Sequence, residues 1–91
     1  MIDVPRALRL ATDTGEVRLG LREVRRAARS KKAKLVVLAS NCPEEAANAI
    51  GEVRVYRFAG TNVDLGAACG VPYSVAAVAV ISPGESNILN V

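Results

Sequence analysis

Apolar positions at helical spacing alternate along this chain with short unbroken apolar runs. Over residues 3–14, Val4, Ala7, Leu8 and Ala11 fall on one face, with Arg6 and Arg9 elsewhere, which predicts a helix that Gly15 stops. Val17–Leu19 then reads as a short strand. Gly20 is the hinge into a second predicted helix over Leu21–Ser30. There Leu21, Val24 and Ala28 face inward, and Arg22, Arg26 and Arg29 form a stripe on the other side. The run Lys34–Ala39 holds five apolar residues in a row with valines at its centre, the pattern of a strand covered on both faces.

Ser40-Asn41-Cys42-Pro43-Glu44-Glu45 opens a predicted short helix that ends near Gly51: a polar cap, an early proline and acids in the first turn suit a helix N-terminus. Val53–Phe58 is the next predicted strand. Thr61 caps a further helix, with Asp64 three residues on, and Gly70 ends it. Val75–Ile81 is a second buried strand, and Ser82-Pro83-Gly84-Glu85 repeats the capping pattern before a final helical turn through Ile88. Alternating strands and helices, with strands that need cover on both faces, predict a single α/β domain over residues 1–91. Its architecture is a three-layer α/β/α sandwich with a mixed sheet of about four strands. Right-handed crossovers put the strand-to-helix loops on one sheet edge, where ligands of such folds usually bind.

Charge sharpens the picture. The net charge is only +3, yet Arg18 to Lys34 contains eight basic residues against Glu23 alone, and the rest of the chain is net acidic. One dense basic segment points to a directed anionic partner, set against the plainer reading of a solvated helix face. The chain has no His, and its two cysteines lack metal-ligand spacing, so neither a metal site nor any cofactor is expected. No segment is long and apolar enough to span a bilayer, and the first residues, with Asp3 and Pro5, lack a signal-peptide core. Reduced thiols and a cytoplasmic location are the expectation, with no membrane partner. The absence of Gln and His and the excess of Arg over Lys hint at a thermophilic source.

Three loops are candidates for function: around Gly20, Asn41 and Tyr73. Gly20 lets backbone approach a ligand closely, and the helix after it presents N–H groups suited to phosphate. Arg22 in the first turn works against the helix dipole, which suggests a partner; taken alone, an ordinary surface arginine is the better reading. Asn41 reads equally as a helix cap and as an amide offered to a base edge. Tyr73, after Val71-Pro72, is one of only three aromatic residues; it reads as a stacking platform for an unpaired base or as a ring folded over the core edge. Cys42 near a helix N-terminus could act as a nucleophile, but no His serves as base and no carboxylates pair, so an enzyme is not expected.

The strings Leu19-Gly20-Leu21-Arg22-Glu23-Val24 and Ala33-Lys34-Leu35-Val36-Val37-Leu38-Ala39-Ser40-Asn41-Cys42-Pro43 resemble the kink-turn-binding (L-seven-Ae) superfamily of ribosomal proteins. Within it, the ending Ala79-Val80-Ile81-Ser82-Pro83-Gly84-Glu85-Ser86-Asn87-Ile88-Leu89 and the helix from Gly60-Thr61 to Leu65-Gly66 are similar to the archaeal and eukaryotic large-subunit family L-thirty-e. The likeness covers nearly the whole chain. It implies binding of a kink-turn, a sharply bent internal RNA loop with sheared G·A pairs. Carried over, Gly20 and Leu21 give close backbone contact, Arg22 holds a guanine edge or a phosphate, Arg26 a phosphate, and Asn41 a guanine. The Tyr73-Ser74-Val75 loop receives the extruded nucleotide. Two features depart from the family: the segment from Pro43 to Gly51 is shorter than the corresponding helix, and Ser74 replaces a commonly basic residue.

The implied role is a structural constituent of the large ribosomal subunit that binds an rRNA kink-turn. Its partners would be rRNA and neighbouring ribosomal proteins, with its own messenger RNA as a second candidate, and the free protein is expected to be a monomer. Two alternatives remain: a core protein of small ribonucleoprotein particles, and a protein-interaction scaffold that turns the basic helix towards an acidic partner.

Overall fold

The computed structural model describes residues 3–42 and 53–91. The helix predicted over 43–51 lies outside the described residues. The first helix, α1 (Val4–Thr14), starts where Asp3 Oδ1 accepts from Arg6 N at 3.3 Å, with Pro5 in the first turn. It buries Ala7, Leu8 and Ala11. Strand β1 (Glu16–Leu19), helix α2 (Leu21–Arg29) and strand β2 (Leu35–Leu38) follow. After them come β3 (Val55–Arg57), α3 (Asn62–Ala68), β4 (Ala77–Ser82) and a 3-10 turn, Ile88–Asn90.

The four strands form one mixed sheet in the order β1-β4-β2-β3. Strand β4 runs antiparallel to both β1 and β2, and β2 pairs parallel with β3. Side chains alternate across a strand, so the unbroken apolar runs feed two separate cores. Leu35, Val37, Val78 and Val80 pack with Leu8 and Ala11 of α1, Leu65 of α3 and Ile88. Val36, Leu38, Ala77 and Ala79 pack on the other face with Val24 and Ala27 of α2. Helices thus cover both faces of the sheet, as the pattern predicts.

Several boundaries move. β3 is shorter than Val53–Phe58, although Arg54 O and Phe58 N still bond β2 at 2.8 Å each. β4 begins at Ala77 rather than Val75, because Val75 N is taken by Asn62 O at 2.9 Å. The inner face of α2 is Val24 and Ala27; Leu21 and the predicted Ala28 are only partly buried. Ala27 lies three residues after Val24 and packs in the same cluster as Val36, Leu38, Ala77 and Ala79 of the sheet, while in the turn after the helix Lys32 N and Ala33 N both donate to Ala27 O, at 3.0 and 3.4 Å. The last helical turn starts at Ile88 instead of ending there. Residues 83–87 form a turn fastened to α1, with Glu85 N on Thr14 Oγ1 at 3.0 Å and Ser86 Oγ on Ala7 O at 2.6 Å.

Helices α2 and α3 end in the same motif. In α3, Val71 N bonds Gly66 O and Gly70 N bonds Ala67 O, with Gly70 left-handed at φ 78°. In α2, Lys32 N bonds Ala27 O and Lys31 N bonds Ala28 O, but the left-handed residue is Lys31, at φ 58°. That position favours glycine, since a Cβ there crowds the following carbonyl. Lys31→Gly removes this penalty but loosens the unfolded chain. The net expectation is a gain of about 0.5–1 kcal/mol, hence a melting temperature about 2–8 °C higher. Thermal unfolding followed by circular dichroism checks this, and a lower midpoint would contradict the assigned strain.

Candidate nucleic-acid interface

Three backbone bonds tie the candidate loops to consecutive residues at the start of β4. Val75 N donates to Asn62 O, Ala39 N to Ala76 O and Gly20 N to Ala77 O, each at 2.9 Å. The hinge before α2, the turn after β2 and the segment after Tyr73 therefore meet at one end of the sheet. Gly20, Leu21, Asn41, Ser74 and Val75 lie at or beside these ties. Arg22 follows on the exposed side of the helix tip, and Arg26 stands one turn further along α2.

Gly20 is the N-cap of α2, at φ 98° and ψ 150°, and supplies no side chain to the first turn. The opening N–H groups of α2 are left for an outside acceptor, with Arg22 beside them. Arg22, Arg25, Arg26, Arg29 and Ser30 line an open groove of about 650 Å³ along the helix. Glu23 stands 3.9 Å from Arg26 Nη1, a loose and exposed pair. Arg25 was not marked out by the sequence pattern. Among the described residues its Nε is the one buried side-chain nitrogen or oxygen without a hydrogen-bond partner.

The segment that Asn41 would cap lies outside the described residues; within them Asn41 bonds Asn62. Its Oδ1 accepts from Asn62 N at 3.0 Å, and its Nδ2 donates to Asn62 Oδ1 at 3.0 Å. A backbone N–H can only donate, so the amide's orientation follows from the bonding. Among the described residues, one N–H and one lone pair of this exposed amide have no partner. Asn62 Oδ1 also accepts from Val63 N at 3.0 Å, so the pair clamps the first turn of α3. Sequence reading missed Asn62; its place directly after the cap Thr61 was the one signal, and it gives no hint of a partner 21 residues away.

Tyr73 is 59% exposed, so its ring does not close the core edge. Its backbone is fixed instead: Gly66 of α3 lies so close to the Tyr73 carbonyl that a Cβ at 66 would overlap it. Val75 beside it is buried. The loop thus offers a free aromatic face on a fixed base. Cys42 is buried, and burial pushes its thiol up, outweighing the lowering by the Arg57 and Arg25 charges. Such a thiol is a poor nucleophile at neutral pH. Cys69 is likewise raised by burial, against a side-chain hydrogen bond with Thr12 that lowers it. Among the described residues no group of three metal-ligating side chains forms, and no helix is long and apolar enough to cross a membrane.

The chain is 42% identical over 94 residues to the large ribosomal subunit protein eL30 of Methanothermobacter thermautotrophicus, covering 97% of this chain and 96% of the relative. It is 45% identical over 91 residues to the protein of the same name from Methanothrix thermoacetophila, covering 98% and 88%. A third, from Methanoregula boonei, is 40% identical over 92 residues, covering 98% and 95%. These archaeal relatives carry the name of a ribosomal constituent, not of an enzyme. The model of one protein family matches residues 3–90. The chain belongs to the ribosomal protein L7Ae/L30e/S12e/Gadd45 family.

Proposed function

We propose that this protein is a structural, non-catalytic constituent of the large ribosomal subunit in the cytoplasm, where it binds a kink-turn of rRNA. The observation that carries the reading is the meeting of three loops on Val75–Ala77, next to an uncapped helix tip that bears Arg22. The relatives' names supply the ribosomal setting. A-form RNA hides its base edges in a deep, narrow groove, whereas a kinked internal loop opens them to a helix tip. Gly20 and Leu21 bring the backbone against the RNA, and Arg22 reads a guanine edge. Arg26 holds a phosphate. Asn41 offers its remaining N–H and lone pair to a base. The extruded nucleotide lies on Tyr73, flanked by Ser74 and Val75.

Gel-shift titration against one kink-turn and a straightened duplex of the same length tests the reading. The kink-turn is expected to bind far more tightly. Arg22→Ala is expected to cost about 1–3 kcal/mol and to erase discrimination against a mutated G·A pair. Equal affinity for bent and straight RNA would overturn the assignment. An equal loss for every RNA on Arg22→Ala would make that side chain a phosphate contact.

A further inference from the structure

The far end of α2 carries a second cationic cluster. Nine residues of helix place it about 13 Å from the Gly20 tip. Lys34 N bonds Val80 O, whereas the tip bonds Ala77 O, so the two ends of α2 sit over opposite ends of β4. Arg29, Lys31, Lys32 and Lys34 are all exposed here. None of the four is among the ion pairs of the described residues, unlike Arg9, Arg18 and Arg26. Lys32 lines a groove of about 230 Å³ with Arg18, Arg26 and the single acid Glu23, and Lys31 lies on another flank beside Val53.

A helix C-terminus favours cations, which alone explains one or two of these residues. It does not explain Lys31. A left-handed position suited to glycine is occupied by a lysine at φ 58°, so the chain tolerates backbone strain while keeping a charge there. Among the described residues the large exposed apolar ones, Leu10, Val55, Val63 and Tyr73, all lie elsewhere in the chain, and Val53 beside Lys31 is half-buried. A protein interface needs buried apolar or aromatic anchors, which this cluster lacks. A nucleic-acid backbone needs only cations.

We propose that the α2 C-terminal turn, through Lys31, Lys32 and Lys34, holds the phosphate backbone of a second RNA duplex while the helix tip holds its own RNA. The protein then fastens two RNA segments to the two ends of one helix. The contact is sequence-independent, because the three lysine ammonium groups act as point charges on phosphates and carry no fixed fork for a base edge.

The inference is linked to the kink-turn reading, but the two fail separately. The full chain is saturated with an unlabelled kink-turn RNA, and a labelled 16-base-pair RNA duplex is titrated in at low salt and followed by fluorescence anisotropy. The duplex is expected to join without displacing the kink-turn. Its affinity should fall steeply with salt, by close to one power of concentration per phosphate contacted. The variant Lys31→Gly/Lys32→Gln/Lys34→Gln, whose helix-ending motif is relieved rather than broken, should lose about tenfold or more in duplex affinity. Its kink-turn affinity should change less than about twofold. Displacement of the kink-turn by the duplex, or unchanged duplex binding by the variant, would overturn the proposal. So would a poly-glutamate peptide that binds the turn more tightly than the duplex at equal charge. If no RNA shows kink preference while the duplex still loses affinity in the variant, the helix-tip reading fails and the second contact stands.

Discussion

Gly66→Ala is expected to cost about 2–3 kcal/mol of stability, although it adds a single methyl group. Gly66 is buried in α3, and the added Cβ would overlap the Tyr73 carbonyl oxygen and stand 3.2 Å from the Tyr73 carbonyl carbon. Both are backbone atoms, so no side-chain rotation relieves the overlap. Either α3 lifts from the sheet, which uncovers Leu65, or the segment at Tyr73 and Ser74 moves outward. The second route breaks the 2.9 Å bond from Val75 N to Asn62 O, and with it the clamp that Asn41 shares. A domain of this size has a total stability of only about 5–10 kcal/mol, so the midpoint of thermal unfolding should fall by about 10–20 °C. Below that midpoint, kink-turn affinity should also drop, because Tyr73 and Asn41 lose their relative placement. Denaturant unfolding with a gel shift at low temperature separates the two effects. A loss smaller than about 0.5 kcal/mol would mean that the loop does not rest on α3.

How far such contacts could be foreseen depends on their range along the chain. The unbroken runs at Leu35–Leu38 and within Ala77–Ser82 announced central strands, because residues covered on both faces have no polar alternation to disguise them. The cap at Thr61 was equally legible, since a capping side chain acts on N–H groups only three residues away; Asp3 caps α1 by the same rule but was not singled out. Ala27 was not, because Ala27 and Ala28, three and four residues after Val24, both suit the inner face, and only packing against Val36, Leu38, Ala77 and Ala79 of the sheet decides between them. Lys31 was hidden for a related reason: helix-stop patterns look for glycine, and a lysine in that conformation gives no local sign.

The candidate site divides in the same way. Gly20, Arg22 and Arg26 follow from one local pattern, a glycine before an amphipathic basic helix. That Asn41 and Val75 join them depends on bonds from Asn62, 21 residues from Asn41, and from Ala76 and Ala77, which local spacing does not encode. The crossover rule had put such loops on one sheet edge, and the family likeness gave these residues a shared role, ahead of the structure. Neither supplied Arg25, which lines the groove with the predicted arginine stripe, or Asn62.

Gly20→Ala isolates the conformational demand of the helix tip. A Cβ at this position would meet nothing within 4 Å, so the substitution has space, but φ 98° with ψ 150° is a region that essentially only glycine occupies. The expected cost is about 1–3 kcal/mol, all of it backbone strain. Relief requires rotating the peptide before Leu21, which breaks the 2.9 Å bond from Gly20 N to Ala77 O and turns Arg22 away from the Asn41 and Tyr73 loops. Kink-turn binding should therefore weaken at least as much as in Arg22→Ala, by about 1–3 kcal/mol, while loose duplex binding persists. A D-alanine at position 20, introduced by chemical synthesis, divides the demand further. Its mirror-image preference fits positive φ, so stability should return to that of the glycine protein. RNA affinity should stay reduced, because the methyl group occupies space that the RNA backbone needs. Recovery of both properties would assign glycine to the helix turn alone, and an L-alanine variant as stable as the parent would remove the strain on which the argument rests.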